Sequence, residues 1–410
     1  MVENERKDDK SGNSGGKSEK KLRVLLRTFG CQMNARDSEV IAGLLRSMNY
    51  ELSTDPKAAD VIILNTCAVR QHAEDRVWSQ IGAYKNESQS HKVTKSPIIG
   101  LVGCMAQNYK DKVFEIAPNV DFVVGPTDIH KIPGIIEILV HGSQFMVNGK
   151  SMFEKKIWET DSLVRPDEIY HTGFYADKNH AFVVISEGCE NYCSYCVVPY
   201  VRGNLRSRKP EDIIKEIEQA IDKGITSITL LGQNVNAYKF IVHGSEFIDF
   251  VKLLEMVNRV KGLKEFSFLT SHPRDTTNEL FKAVAGFDKL KKSLHLPVQS
   301  GSDKILNLMN RGYTRKFYLD LVSNYRKIVK NGVLTTDVIV GFPSESEEDF
   351  MDTYNLVKEV EFNSAYIFKY SPRPHTEALK FADNIDAQEK NMRHKKVLDL
   401  QRKISKSTKG

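Results

Sequence analysis

The sequence predicts an α/β protein: an N-terminal parallel α/β sheet domain followed by a partial (βα)6 barrel. Three observations carry this. Short runs rich in Val, Ile and Leu alternate with helical patterns along most of the chain. The alternation comes in two series, with a polar and irregular stretch between them. Each of three scattered cysteines follows a strand-like run of the first series. A chain of 410 residues suffices for two or three domains with ample cores.

The first series has strand-like runs at 22–27, 61–64 and 98–102, with a shorter one at 121–125. Val40, Ile41, Leu44, Leu45 and Met48 recur at helical spacing between the first two. Cys31, Cys67 and Cys104 follow in Thr28-Phe-Gly-Cys, Asn65-Thr-Cys and Val102-Gly-Cys, spaced 36 and 37 residues apart. The carboxyl ends of parallel strands line one edge, where ligands bind, so this spacing is expected if the cysteines converge there. Buried cysteines acting as small apolar groups explain each one singly. They do not explain why all three end a strand beside Gly or Thr.

Residues 141–180 read as a linker. Six further strand candidates follow at 181–185, 228–231, 265–269, 293–296, 335–340 and 365–368. Pro210 opens a helix with apolar residues at Ile213, Ile214, Ile217, Ala220 and Ile221, and Gly224 caps it. Other helices run near 247–260, 280–285, 317–329 and 350–360. Six βα units suggest an open barrel with its site at the carboxyl ends of the strands.

The division is therefore 1–21 disordered tail, 22–140 α/β domain, 141–180 linker, 181–386 barrel and 387–410 basic helix. Residues 1–21 are Lys, Glu, Asp, Ser, Gly and Asn with almost nothing apolar, and they hold five acidic residues, which argues against a transit peptide. Residues 387–410 carry eight Lys/Arg and two Asp/Glu, which accounts for the whole net charge of +6. A generally basic RNA-coating surface is thus not supported. The basic end reads either as an RNA contact or as a solvated helix face. No apolar run approaches the ~20 residues of a membrane span, and no secretory signal opens the chain, so a cytoplasmic setting is expected.

Cys189, Cys193 and Cys196 form the second trio, in Glu187-Gly-Cys-Glu-Asn-Tyr-Cys-Ser-Tyr-Cys196. Three thiolates hold a metal cluster and leave one position open for a reactant, whereas a structural site uses four ligands. The alternative is zinc, with a fourth ligand such as His171 or His180. Zinc sites usually pair their cysteines with a second pair well downstream, which this chain lacks.

The C-x3-C-x2-C run resembles that of radical S-adenosylmethionine enzymes. The likeness extends over residues 22–405 to the methylthiotransferases, through Thr28-Phe-Gly-Cys-Gln-Met-Asn34, Asn65-Thr-Cys-Ala-Val-Arg70, Gly103-Cys-Met-Ala-Gln107, Pro199-Tyr-Val-Arg-Gly203, Leu231-Gly-Gln-Asn-Val-Asn236, His295-Leu-Pro-Val-Gln-Ser-Gly301, Asp337-Val-Ile-Val-Gly-Phe-Pro343 and Tyr370-Ser-Pro-Arg-Pro374. The residues after Cys31 and Cys67 resemble the tRNA-2-methylthio-N6-dimethylallyladenosine synthase branch, rather than those acting on threonylcarbamoyladenosine or on a ribosomal-protein aspartate.

The resemblance implies two 4Fe–4S clusters, one on Cys189, Cys193 and Cys196 and an auxiliary one on Cys31, Cys67 and Cys104. It implies two molecules of S-adenosylmethionine per turnover, with Tyr195 and Gly341 near the adenine and Gly232, Gln233 and Asn234 as contacts. Its implied partners are the tRNA anticodon stem-loop and an electron donor such as a flavodoxin or ferredoxin, with the chain as a monomer. Arg202, Arg206, Arg208 and Lys209 read either as anion contacts or as a solvated loop. Ser344 and His375 stand where the family commonly has glycine. The family's small RNA-binding β-barrel is not expected after residue 410. A metal-bearing RNA-binding scaffold without catalysis is the other class of reading.

Overall fold

The computed structural model describes residues 21–68, 71–90, 96–141, 156–161 and 164–407. Residues 1–20 of the expected tail, Val69 and Arg70 of the second cysteine motif, and 142–155 and 162–163 of the expected linker lie outside the described residues.

The first half contains β1 (Arg23–Thr28), α1 (Gln32–Ser47), β2 (Glu51–Ser53), β3 (Val61–Thr66), α2 (Gln71–Ser90), β4 (Ile98–Gly103), α3 (Cys104–Tyr109), α4 (Val113–Ile116), β5 (Phe122–Val124), α5 (Ile132–His141) and β6 (Ile157–Glu159). The strands make one parallel sheet in the order 2-1-3-4-5-6. All six residues of β3 are buried, as a central parallel strand covered on both faces requires. Ile41, Leu45, Ile132 and Ile136 pack on one face, and Val77, Ile81, Met105 and Ala106 on the other. The linker reading fails at 157–159: Val123 pairs with Trp158, so this segment is a sheet strand. Three residues of Ile-Trp-Glu are too short for a periodic signal.

The second half runs through β7 (His180–Val184), β8 (Ser186–Glu187), α6 (Val198–Arg202), β9 (Arg206–Ser207), α7 (Pro210–Asp222), β10 (Ser227–Leu231), β11 (Lys239–His243), β12 (Glu246–Asp249), α8 (Phe250–Asn258), β13 (Glu265–Phe268), α9 (Asn278–Gly286), β14 (Ser293–His295), α10 (Asp303–Leu308), α11 (Arg315–Ile328), β15 (Val333–Val340), α12 (Glu347–Val360), β16 (Ser364–Lys369) and α13 (Ala387–Ser407). Strands β7, β10 and β13 form one parallel sheet and β14, β15 and β16 another. A parallel bridge between Phe266 and Leu290 continues one into the next. The six expected strands are therefore present in sequential order.

Helix starts lie where side chains cap them rather than where apolar periodicity begins. Asp249 accepts from the Lys252 amide at 2.8 Å, so α8 begins after the β11–β12 hairpin and not at residue 247. Ser346 and Asp349 form a capping box that starts α12 ahead of Phe350.

The basic C-terminal segment is part of this core. Val397 and Ile404 of α13 belong to the main apolar cluster of the barrel. Arg393 is buried against Glu345 at 2.8 Å and Glu389 at 2.6 Å. Deleting it would remove a packed helix, not a loose tail. None of the described helices is long and apolar enough to cross a membrane.

Candidate active site

Cys67 and Cys104 follow β3 and β4 directly, and Cys31 follows β1 after Phe29 and Gly30, on the carboxyl edge of the first sheet. The strand order reverses between β1 and β3, and such a switch point opens a crevice beyond the strand ends. Cys31 and Cys67 stand on its two sides. Gly30 permits their approach: its φ is +143°, and a Cβ there would lie 2.4 Å from the Cβ of Cys67. Asn34 and Asn65 tie the two loops together. Asn34 Nδ2 donates to Asn65 Oδ1 at 3.0 Å, and Asn65 Nδ2 to the Asn34 carbonyl at 2.8 Å. Hydrogen bonding with Cys67 holds the Cys31 thiol, which is exposed, down at about 6, against partial desolvation and helped by Arg202 and the Asn34 and Met33 amides. Burial pushes the Cys104 thiol up, and Arg202 opposes it.

Cys189, Cys193 and Cys196 occupy a loop closed at its neck by the antiparallel pair β8 and β9. A Cβ at Gly188 would lie 2.0 Å from the Asn204 carbonyl oxygen, and its φ is +78°, so only glycine lets the neck close. Ser194 anchors the loop tip, its amide donating to the Met309 carbonyl at 3.0 Å and its hydroxyl to the Leu308 carbonyl at 2.7 Å. The thiols feel one another. Burial and the neighbouring Cys193 push Cys196 up to about 12, and burial raises Cys189. N–H donors oppose this from the Asn191 and Val198 amides, and Arg311 Nη1 donates to Cys193 Sγ at 3.3 Å.

Among the described residues, no three His, Cys, Asp or Glu side chains close on a single-ion position. His171 and His180, the zinc alternatives, turn instead to Gln219 at 3.1 Å and Thr229 at 2.9 Å. Neighbouring thiols with N–H groups aimed at their sulfurs suit the thiolate ligands of a multi-iron cluster.

Buried charges join the two triads. Arg202, at the end of α6, donates from Nε to Cys104 Sγ at 3.3 Å. Its Nη2 pairs with Asp37 of α1 at 2.7 Å and its Nη1 with Glu187 at 3.4 Å. Arg165 closes the ring, reaching Asp37 at 2.7 Å and Glu187 at 3.1 Å. Burial raises the Asp37 carboxyl, but Arg165 and Arg202 together bring it below its usual range. A second chain crosses alongside: Arg36, fully buried, pairs with Glu216 at 2.9 Å, and Glu216 also holds Arg208. Ala68, Cys104, Val197 and Val201 pack together beside it.

Polar residues gather at the carboxyl ends of β7, β10, β13 and β14, where the site of an α/β barrel is expected; this set is the bowl of the barrel. Among the described residues its rim carries buried polar atoms with no hydrogen-bond partner: Ser186 Oγ, Gln233 Nε2, Asn234 Oδ1, Ser271 Oγ, His272 Nε2 and Gln299 Oε1. Such atoms cost stability unless a ligand meets them. Thr270 and Gln299 hold φ of +69° and +70° there, a strained backbone that clusters at binding sites. Burial, Arg311 and Arg274 hold His272 down at about 2, so it stays neutral. The donor and acceptor set fits a zwitterionic, ribose-bearing cofactor.

Residues 23–125 match the uncharacterized protein family UPF0004, and residues 183–357 match the radical SAM superfamily. A tRNA-2-methylthio-N(6)-dimethylallyladenosine synthase of Clostridium perfringens is 44% identical over 385 residues, covering 93% of this chain and 82% of its own. One from Moorella thermoacetica is 42% identical over 393 residues, covering 95% and 84%. This chain belongs to that synthase family. It is a radical SAM enzyme, and its family implies a 4Fe–4S cluster and S-adenosylmethionine. The fold is shared with a radical S-adenosylmethionine methyltransferase from Kitasatospora setae, solved with cobalamin and a 4Fe-4S cluster (TM-score 0.57, 12% identity, 88% of this chain and 74% of that one). It is also shared with a cobalamin-dependent S-adenosylmethionine radical enzyme (TM-score 0.55, 13% identity, 91% and 56%).

Against the family motifs, the structure sorts the expected residues. Gly232 sits against Ser186, where a Cβ would lie 2.5 Å from Oγ. Gln233 and Asn234 reach the bowl, with Asn234 Nδ2 held by Asp275 at 2.7 Å. Tyr195 packs in a small apolar cluster with Ile305, Met309, Phe342 and Tyr370. Gly341 is used by the fold: its amide donates to Glu345 at 2.7 Å, and a Cβ there would meet Lys390. Arg202 and Arg208 are neither anion contacts nor a solvated loop; both are buried in ion pairs, and Arg206 reaches Glu187 at 3.5 Å. Lys209 is exposed. Sequence reasoning missed Asp37, Arg165, Ser186, Ser271, His272, Gln299 and Arg311. Only Gln299 lay in a quoted motif.

Proposed function

We propose that this chain adds a methylthio group to carbon 2 of N6-dimethylallyladenosine next to the anticodon of tRNA. The observation that carries the reading is the pair of cysteine triads at the carboxyl ends of two parallel sheets, bridged by Arg202. Cys189, Cys193 and Cys196 hold the 4Fe–4S cluster that takes S-adenosylmethionine, and Cys31, Cys67 and Cys104 hold an auxiliary 4Fe–4S cluster. When bound, the clusters and two S-adenosylmethionine molecules per turnover supply the one-electron and sulfur chemistry that an inert aromatic C–H demands.

The chain's own residues set the stage for it. Arg202 and Arg311 offset thiolate charge at Cys104 and Cys193 and stiffen both loops. Gln233, Asn234, Ser271 and Gln299 offer polar atoms to the amino acid and ribose of the cofactor. Tyr195 and the Phe342 cluster form the drier side, near the adenine. The tRNA substrate follows from what the relatives are named for, and its anticodon loop offers the unpaired base that is most readily drawn into a pocket. A flavodoxin or ferredoxin as electron donor, a monomeric state and a cytoplasmic setting complete the reading.

The test is direct. Anaerobically loaded chain is incubated with S-adenosylmethionine, reductant and a stem-loop bearing N6-dimethylallyladenosine, and the nucleosides are digested and weighed. A methylthio-bearing nucleoside is expected. Its absence from that RNA, with product on a threonylcarbamoyladenosine stem-loop instead, would transfer the chain to the other tRNA branch.

A further inference from the structure

Three aromatic rings are partly exposed beside the cysteine loop. Tyr192, immediately before Cys193, is 45% exposed, and Tyr200 of α6 is 40% exposed. His375, which follows β16, is exposed as well. Their rings form a row: Tyr192 to Tyr200 is 6.4 Å between centroids, edge to face, and Tyr200 to His375 is 6.3 Å with planes 35° apart.

Two members of the row are held in a backbone conformation that side-chain-bearing residues avoid. Tyr192 has φ +44° and His375 has φ +68°. Tyr192 is locked: Asn310 Nδ2 donates to its carbonyl at 3.0 Å, and its hydroxyl donates to Asn204 Oδ1 at 2.8 Å. Strain that aims a ring into a core is offset by burial. Here the rings stay wet, so the folded chain gains little from the arrangement, and strained exposed aromatics of this kind mark a ligand clamp. The Lys380 side chain, 72% exposed, pairs with Glu377 at 2.7 Å.

We infer that Tyr192, Tyr200 and His375 form a stacking platform for an unpaired RNA base, the neighbour of the nucleotide whose base enters the site. The inference rests on the RNA-modifying reading above. Every nucleobase offers a π-face to an aromatic ring. The row borders the cysteine loop, which is where the chain beside an extruded base must lie.

The test uses the full iron-loaded chain and a stem-loop RNA with 2-aminopurine on one side or the other of the target adenosine. Wild type should quench the fluorescence at one of the two positions. Tyr200→Ala should lose that quenching and bind the stem-loop roughly tenfold more weakly, whereas Tyr200→Phe keeps both. His375→Gly relieves the backbone, so it should be at least as stable as wild type and still bind more weakly, which a folding defect cannot explain. Unchanged affinity and quenching in Tyr200→Ala and His375→Gly, with wild type binding normally, overturns the platform alone. Normal RNA binding with slowed reduction by a flavodoxin assigns the row to a protein partner and also overturns it. Failure of wild type to bind any stem-loop overturns the platform together with the reading beneath it.

Discussion

The guanidinium of Arg202 touches the thiol of Cys104 across the boundary between the two halves, Nε to Sγ 3.3 Å. Arg202 lies six residues after Cys196, so one side chain ties the loop of one triad to a ligand of the other. The same guanidinium neutralises Asp37 and Glu187, which are buried with it. A buried ion network thus links the loop of one triad to the strand edge that carries the other.

Arg202→Gln is therefore expected to cost about 1–3 kcal/mol, because Asp37 and Glu187 lose one of their guanidinium partners while Arg165 stays. Iron bound per chain after anaerobic loading should fall to about half, since a lost donor to a metal ligand weakens metal binding ~10–100-fold. Arg202→Lys keeps the charge without the fork and should lie between. Full iron content and an unshifted melting midpoint in Arg202→Gln would show that the contact has no role in holding the second triad.

The triads should separate by function. Cys193→Ala should abolish reductive cleavage of S-adenosylmethionine to 5′-deoxyadenosine. Cys67→Ala should keep that cleavage and lose methylthiolated product. Chromatography of 5′-deoxyadenosine alongside the RNA digest reads both. Product from Cys67→Ala would detach the first sheet's cysteines from the chemistry.

Much of this architecture was legible because it depends on periodicity and spacing. Continuous apolar runs marked β1, β3 and β4, and a cysteine at the end of each marked the edge where a ligand would sit. The ion network was not legible. Arg36, Asp37, Ser38 and Glu39 look like a solvated helical turn, and all are buried because α1 is covered by the second half of the protein. The bowl was half legible. Gln233 and Asn234 stood in a glycine turn, whereas Ser186, Ser271 and His272 are ordinary polar residues until the strands bring them to one rim. The basic end misled because charge dominates its composition, while its packing rests on widely spaced residues such as Val397 and Ile404.

Ser344 and His375 both sit in the left-handed region, at φ +67° and +68°. Their positions call for glycine on steric grounds, and each side chain costs about 1 kcal/mol. Ser344 is exposed, and its bonds run through the backbone, to Asn384 at 2.9 Å and Lys304 at 2.9 Å. Ser344→Gly should therefore raise the melting midpoint by about 1–3 °C with activity intact. A lowered midpoint would mean that the hydroxyl makes a contact worth more than the strain.

The bowl predicts opposite effects on stability and binding. Ser271 Oγ is buried without a partner among the described residues, so the hydroxyl is a liability to the cofactor-free chain. Removing it relieves an unmet desolvation cost of about 1–3 kcal/mol, less the small cavity it leaves. Ser271→Ala should thus melt higher than wild type without S-adenosylmethionine. If the hydroxyl meets a polar group of the cofactor, the same change should weaken S-adenosylmethionine binding by about tenfold, one lost hydrogen bond. Titration calorimetry against melting, each with and without S-adenosylmethionine, reads both signs. A residue that merely shapes the bowl would shift stability and affinity together. Opposite shifts arise only where the fold has kept a polar atom unsatisfied for a ligand to complete.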